Sequence, residues 1–491
     1  MSEQPHSERE IRLAKLEEIR EKGINPYPPR VKHQMDIAKL REKFDHLSEN
    51  DEKVSVCGRL MAKRLHGKSS FAHIQDGTAK IQIYARYDIL GDENYKFFKK
   101  YIDVGDFVEV SGSLFVTKTG EKTILVDELR LIAKALRPLP EKWHGLADED
   151  KKIRFRYLDM VMDPSVKERF ERRATIIKSI REFLDSKGFV EVETPMLQPI
   201  YGGASARPFE TYLNALDMKL YLRIATELYL KRLLVGGMDK IYEIGKNFRN
   251  EGIDRMHNPE FTAIEVYQAY SDYEGMMKLT EELVKFVVKT TLESEKVVYQ
   301  GVETDISKPF DVVSFWDIIA QRTGRNFRNA TREEIAEYLR SEGIEFNENA
   351  PRYTLVDEVF KEKVERTLIQ PTFVIDYPVE LSPLAKRKED DQELVERFEL
   401  FWYGMEIANA FTELNDPIDQ RKRFEQQMLF RAKGDLEAQV LDEDFLTALE
   451  YGMPPAGGMG MGIDRLVMVL TDSYSIRDVI IFPLVRPKKE N

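Results

Sequence analysis

Between residues 54 and 136 apolar and polar positions alternate in short segments, the period of a half-buried β-strand. Five such segments stand out, at 54–56, 71–74, 81–84, 107–110 and 123–126, punctuated by Gly58, Gly67, Gly77, Gly105, Gly112 and Gly120. Five short strands with turn glycines predict a small barrel, and the oligonucleotide-binding (OB) type is one candidate. Ahead of it Ile11, Leu16 and Ile19 recur at helical spacing, and Gly23 and Pro26 stop that helix. Pro138 and Pro140 mark a linker behind it.

Beyond the linker the period changes. Residues 164–187 predict a helix ended by Gly188, and 189–194 a strand stopped by Pro195. Segments 241–251 and 261–270 predict two strands joined by a charged loop. Residues 271–298 and about 330–366 predict helices. The chain then alternates strands, around 405–414 and 459–462, with helices. The divisions are an N-terminal helical extension (1–50), the barrel (51–137), a linker (138–163) and a second domain (164–491) with a helical insertion near 271–366. No internal repeat or low-complexity tract interrupts them.

Three groups of residues carry candidate chemistry. Residues two apart on a strand share a face, so Arg249 pairs with Glu251, and Phe261, Ala263, Glu265 and Tyr267 form one row. The loop between adds Arg255, His257 and Asn258. Arginine offers a planar fork for phosphate and phenylalanine a surface for a base, although cross-strand ion pairs on a solvated face would use the same residues. A second row is Asn409, Phe411 and Glu413. Glu399 and Glu406 upstream are oxygen ligands suited to magnesium, unless Glu399 belongs to a charged helix face with Glu393, Glu396 and Arg397. The third group, 458–465, is a Gly-x-Gly-x-Gly strand entering a helix with Arg465 just inside. It has neither the dinucleotide nor the phosphate-loop spacing, and its glycines could serve packing alone.

Composition narrows the classes. Of 491 residues, 42% are hydrophobic and 33% charged, with a formal net charge of -12. The N-terminal residues 1–10 are polar and of mixed charge, unlike a secretory signal. No apolar run approaches the ~20 residues of a membrane span, so a cytoplasmic protein is expected. Cys57, the single cysteine, excludes an intramolecular disulfide and a zinc site built on paired cysteines. Net charge is a poor guide to a local patch. Lys53, Arg59, Lys63, Arg64 and Lys68 follow one another with no acid between Lys53 and Gln75, a basic face or a solvated charged strand.

In order, these segments resemble the three signature motifs of class II aminoacyl-tRNA synthetases. Residues 188–195 (GFVEVETP) resemble the first, a dimer-interface element. Residues 248–251 (FRNE) with 257–261 (HNPEF) resemble the second, and 458–465 the third. With the barrel ahead, the match extends over nearly the whole chain. It implies an α+β chain: an anticodon-binding OB barrel, then a catalytic domain of antiparallel sheet flanked by helices. Residues 202–209 (GGASARPF), 227–232 (ELYLKR) and 411–416 (FTELND) resemble the lysine members of the aspartate, asparagine and lysine subgroup. Glu413 puts an acid where an aspartate pocket needs a cation, and a buried substrate ammonium must meet a carboxylate.

The resemblance implies lysine activation by ATP, transfer to tRNA(Lys), and a homodimer through the first motif. Arg249 would bridge the lysine carboxylate and the α-phosphate. His257 and Arg465 would hold the other phosphates, Phe261 the adenine, and Glu251 and Asn258 its edge. Glu399 and Glu406 would hold Mg²⁺. Gly203 and Glu227 would meet the α-ammonium, and Glu413, Tyr267 and Glu265 the ε-ammonium. Phe411 would line the aliphatic stem and Asn409 bind the carboxylate. In the barrel, Arg64, Phe71 and Gln82 would contact the anticodon, with Phe71 stacking on a base unless it faces the barrel core. Relatives that transfer lysine to protein lack the barrel, and a non-catalytic paralogue would be expected to have lost some of these side chains.

Overall fold

The computed structural model of the chain describes residues 7–140, 148–432 and 439–487. The first six residues and 141–147, which fall in the predicted extension and linker, lie outside the described residues. The chain forms two compact units, Met1–Leu146 and Ala147–Asn491.

In the first unit β1 (Val54–His66), β2 (Ser69–Gln75), β3 (Lys80–Arg86), β4 (Phe107–Val116) and β5 (Lys122–Ala133) close a barrel in the order β1-β2-β3-β5-β4. They are longer than the apolar segments because alternation fades towards strand ends, where both faces meet water. The helix Glu8–Glu21 begins with a capping box, Ser7 and Glu10 satisfying each other's backbone N–H groups. Ile19, with Ile37, Leu40, Phe44 and Leu47 from two further short helices, is buried in the same core as the barrel's Val56, Ile74 and Ile83. The extension is thus part of this unit's core.

The second unit starts within the predicted linker: helices Glu149–Arg154 and Arg156–Met162 lead into the helix Pro164–Ser186, capped by Asp163 with proline at its first turn. Its strands are β6 (Val190–Glu191), β7 (Leu197–Gln198), β8 (Glu210–Leu213), β9 (Met218–Leu222), β10 (Lys240–Phe248), β11 (Glu260–Ala269), β12 (Lys296–Tyr299), β13 (Val302–Asp305), β14 (Asp311–Ser314), β15 (Thr372–Ile375), β16 (Arg397–Trp402), β17 (Met405–Thr412) and β18 (Ala456–Gly462). Eight of them form one sheet in the order β14-β15-β16-β17-β18-β11-β10-β6. Pairing is antiparallel except at the edges, where β14 runs parallel to β15 and β6 parallel to β10. The stretch 271–366 is not wholly helical. After the helix Tyr273–Leu292 it holds the β12–β13 hairpin and β14, which joins the main sheet.

One face of this sheet is dry. Ile264, Val266, Ala408, Ala410, Met459 and Met461 pack there against Ile180 and Leu184, Leu283 and Val287, and Leu466 and Met468 from three helices. Strand alternation sends the intervening residues to the opposite face, and there the site lies.

Candidate active site

A cavity of about 530 Å³ opens on that face, within the range of small-molecule sites. Its floor is made by what is missing from β18, the central strand between β17 and β11. Gly458 lies between Phe411 and Tyr267, and Gly460 between Asn409 and Glu265. Met459 and Met461, pointing the other way, are buried in the core. A methyl group on Gly458 would overlap both Glu413 Oε1 and the Tyr267 ring. The Gly-x-Gly-x-Gly pattern therefore leaves the cavity floor open while anchoring the strand from below, which packing glycines alone would not require.

Of the residues expected to contact substrate or metal in this unit, Gly203, Glu227, Arg249, Glu251, His257, Asn258, Phe261, Glu265, Tyr267, Glu399, Glu406, Asn409, Phe411 and Arg465 line the cavity. Glu413 does not; it is fully buried behind the wall. Two expected causes of placement differ. The strand β10 ends at Phe248, so Arg249 and Glu251 stand beyond it and alternation does not align them. The Arg249 backbone instead donates to Pro259 O at 2.9 Å. Likewise β17 ends at Thr412, and Glu413 is held one residue later by its N–H to Ala456 O at 2.8 Å.

At one end, acids gather around a resident lysine that the sequence reading did not single out. Lys231 is fully buried; its Nζ donates to Glu227 Oε1 at 2.6 Å and pairs with Glu413 Oε2. Glu413 Oε1 is buried with no hydrogen-bond partner. Glu265 accepts from the Thr226 N–H at 3.0 Å and from the Tyr267 hydroxyl at 3.1 Å. Burial pushes the Glu413 carboxyl up to about 8, against the pull of Lys231. Burial, with Glu227 nearby, pushes Glu265 up to about 7. Glu227 is raised by burial too. The i,i+4 spacing of Glu227 and Lys231 on the helix Glu227–Val235 was a visible signal; the third partner was not. Gly203 has a positive φ of 86° and packs against Glu227, leaving no space for a side chain.

At the other end cations dominate. The Arg249 guanidinium sits 5.1 Å from the Phe261 ring centroid. Arg465 donates to Glu406 O at 2.8 Å and Oε2 at 3.1 Å, and its other nitrogen lies 3.3 Å from His257 Nε2. His257 Nδ1 is held by Asp254 at 2.8 Å. Burial works to raise that aspartate, but the bonds from His257 and the Met256 backbone keep it below its ordinary value. Asn258 is buried with Oδ1 unpartnered. Arg465 is placed by its neighbour Asp464, which accepts from the Thr262 N–H at 2.7 Å and pairs with Arg173 at 2.5 Å.

Glu399 stands on β16, not on a helix. Arg397 Nη2 pairs with its Oε1 at 2.5 Å, and the Tyr377 hydroxyl donates to Oε2 at 2.8 Å. Burial raises this carboxyl to about 7, opposed by Arg397 and aided by Glu406. Arg397 Nε also donates to Asn409 Oδ1 at 3.0 Å, which leaves the Asn409 amide nitrogen free to donate to a ligand. Arg397, Tyr377 and Asp254 are positioning residues that the sequence reading missed. Tyr377 and Asp254 act through a partner distant in sequence and through loop geometry respectively, neither of which is periodic, whereas Arg397 shares a strand face with Glu399 two residues on and was hidden by the alternative helix.

In the barrel unit Phe71 faces outward: it is half-buried, whereas its neighbours Ser70 and Ala72 point into the core. It stacks on Tyr84 at 4.2 Å between centroids, and Tyr84 meets Phe115 at 5.9 Å. Exposed Arg64 pairs in register with Phe71, and Gln82 with His73. Gln82 Oε1 accepts from Thr123 at 2.8 Å. The basic run does not form one face. The Lys63 ammonium is turned to the carbonyls of Phe98, Lys99 and Ile102 at 2.6–3.2 Å, Arg59 packs over Phe107, and Lys53 pairs with Asp127.

A family profile described as class II tRNA synthetases (D, K and N) matches residues 148–486, and one described as an OB-fold nucleic acid binding domain matches 54–132. The chain is 54% identical over 480 residues to a lysine–tRNA ligase of Carboxydothermus hydrogenoformans, covering 97% of this chain and 98% of that one. It is 54% identical to that of Pelotomaculum thermopropionicum (98% and 95% covered) and 52% to that of Thermosipho africanus (98% and 96%).

Proposed function

The chain belongs to the class II tRNA synthetases for aspartate, lysine and asparagine, and among them to the lysine–tRNA ligases; from that premise we propose how its own residues bind lysine and ATP and join them. The observation that carries the assignment is the pair Glu227 and Glu265 lining one end of a cavity, with Glu413 buried behind them, while the other end is set with Arg249, His257 and Arg465. A diamino acid fits the acidic end and a triphosphate the basic end.

The lysine carboxylate lies between Arg249 and the Asn409 amide. Its α-ammonium meets Glu227 beside Gly203, and its ε-ammonium meets Glu265, Tyr267 and the unpartnered Oε1 of Glu413, with Phe411 along the stem. The carboxylate oxygen attacks the α-phosphorus and pyrophosphate leaves. Arg249 stabilises charge growing on the α-phosphate, while Arg465 and His257 hold the departing phosphates. Phe261 stacks on adenine, and Asn258 Oδ1 and Glu251 accept from its edge. The terminal 3'-hydroxyl of tRNA(Lys) then attacks the lysyl carbonyl and AMP leaves.

Glu399 and Glu406 suit a magnesium ion. They offer hard oxygen donors only, and Glu406 helps raise the Glu399 carboxyl, a repulsion that a cation relieves. Among the described residues no three His, Cys, Asp or Glu side chains cluster as a metal site, so Glu399 and Glu406 are the two side chains that would hold the ion. Bound there, Mg²⁺ neutralises phosphate charge.

The edge strand β6, the three-stranded sheet β7-β9-β8 and the residues flanking its strands expose Val190, Met196, Leu197, Tyr212 and Leu216, apolar side chains suited to a homodimer through the first motif. No helix of the described residues is long and apolar enough to cross a membrane; we place the reaction in the cytoplasm, where charged tRNA is consumed.

Amino-acid-dependent ATP–pyrophosphate exchange, run without tRNA over all twenty amino acids, tests this reading. Lysine alone should support exchange; exchange with aspartate or asparagine would overturn the pocket, and none at all would remove the catalytic assignment. Because burial pushes the Glu265 and Glu413 carboxyls up to about 7 and about 8, they gain the charge that lysine needs only as pH rises. kcat/KM for lysine should therefore climb from pH 6 and level off above about 8; a profile flat across that range would contradict it.

The barrel's outward row of Phe71 and Tyr84 with Arg64 supports single-stranded RNA binding by stacking. Phe71→Ala should raise KM for tRNA(Lys) about 10- to 100-fold, while tRNA-free exchange persists. An unchanged tRNA KM would remove Phe71 from the interface.

A further inference from the structure

The Lys231 ammonium is the feature of the pocket that lysine binding does not obviously call for. It lies buried behind the acidic end of the cavity, already occupying Glu227 and one oxygen of Glu413. Its surroundings are closed. Glu227 faces it from its own helix and Glu413 from beyond β17. Glu265 and Tyr267 on β11 and Arg397 on β16 are the nearby charged or titratable groups. Phe411 and Phe445 cover it, with ring centroids 5.3 and 5.9 Å from Nζ.

A structural ion pair is the plain alternative, but it leaves the site unbalanced. With all three carboxylates ionised the site carries a net charge of -2, Arg397 being paired with Glu399; a buried excess charge is costly, and burial raises the Glu265 and Glu413 carboxyls so that they keep protons until a cation arrives. Lysine carries two ammonium groups, and its carboxylate has Arg249. Bound substrate brings the acidic end to -2 + 2 = 0. The same arithmetic penalises a neutral side chain, which leaves one negative charge uncompensated, and an acidic one still more.

Resting on the lysine reading above, we propose that Lys231 is a specificity-determining residue: its fixed ammonium cancels one of the three carboxylates, so that the pocket's remaining charge matches a substrate with two ammonium groups. Its pairing with Glu413 Oε2 also positions that carboxylate, leaving Oε1 unpartnered beside Gly458. Lys231 pulls the Glu227 and Glu413 carboxyls down against burial, so its removal moves their ionisation to higher pH.

The test is lysine-dependent ATP–pyrophosphate exchange over pH 6 to 9 for the full chain and three variants: Lys231→Met, Glu227→Gln and the two combined. Lys231→Met leaves -3 facing +2. KM for lysine should rise about 10- to 100-fold with a smaller change in kcat and in KM for ATP. The acid limb of kcat/KM should move up by about one pH unit. Glu227→Gln leaves -1 facing +2, whereas the combined variant restores -2 facing +2. Adding Lys231→Met to Glu227→Gln should therefore hold or improve kcat/KM for lysine. If Lys231 only fills space, the two losses add and the acid limb stays in place, which overturns the proposal. Should Lys231→Met alone not fold, the comparison of Glu227→Gln with the combined variant decides by its sign. Failure of the unaltered chain to exchange with lysine would instead remove the lysine reading itself.

Discussion

Arg249→Ala is expected to lower kcat for lysine-dependent ATP–pyrophosphate exchange by about 10³-fold, with a smaller rise in either KM. Loss of one preorganised donor to developing charge typically costs 10²- to 10³-fold, and Arg249 serves two groups, the substrate carboxylate and the α-phosphate. Its setting gives a donor full effect. Burial lowers the guanidinium's pKa while Glu251, Glu406 and Glu265 sustain its charge, and it packs against Phe261 with its backbone tied to Pro259. Charge on the α-phosphate grows only as the bond forms, so the loss falls mainly on kcat. Arg249→Lys keeps the charge without the planar fork and should recover only part of the rate. A fall of less than about tenfold for Arg249→Ala would displace Arg249 from the reacting phosphate.

Glu413→Gln should cost about 10²- to 10³-fold in kcat/KM for lysine, mostly through KM for lysine, with KM for ATP little changed. The substitution keeps the shape and removes only charge. Glu413 is fully buried, so water cannot replace what it loses, and breaking a buried pair costs about 3–5 kcal/mol, whose lower part, up to ~4 kcal/mol, is some 10²- to 10³-fold at ~1.4 kcal/mol per decade. The damage has two routes. Gln keeps one acceptor oxygen for two ammonium groups: turned to the ε-ammonium it leaves Lys231 to Glu227 alone, and turned to Lys231 it presents an amide NH2 to the ε-ammonium. A variant within about threefold of the unaltered protein would show that the ε-ammonium is held elsewhere. Differential scanning fluorimetry should be run alongside, because a fall in Tm without a change in lysine KM would mark Glu413 as purely structural.

Most of the cavity wall was legible because it lies on strands, where the period is two. Phe261, Glu265 and Tyr267 share a face, as do Asn409 and Phe411, and the alternate glycines of β18 fall between those rows. Arg249 was expected at the site for a reason the structure replaces: the strand stops before it, and the turn to Pro259 places it. The helix proposed as an alternative for Glu399 disappears because the residues that follow, Leu400 to Trp402, pair along β17 and bury an apolar face. Spacing within one segment cannot report a partner in another.

The basic run shows the same limit. Five cations in sequence suggested a surface, yet Lys63 turns its ammonium to the carbonyl end of the helix Asp92–Tyr101, and only the folded barrel brings that helix end near. In the other direction, folding added Tyr84 and Phe115 beside Phe71, on strands whose own alternation did not distinguish an outer aromatic from a core one.

From its sequence alone this protein's barrel, its second α+β domain, its motif order and the residue types of its site follow, because backbone periodicity and local turn chemistry act over a few residues. The tertiary structure alone decides that Glu227, Lys231, Glu265 and Glu413, drawn from a helix, a strand and the residue beyond another strand, share one buried charge balance. Electrostatic coupling in a low-dielectric interior depends on distance through space, and that distance exists only once the strands have paired.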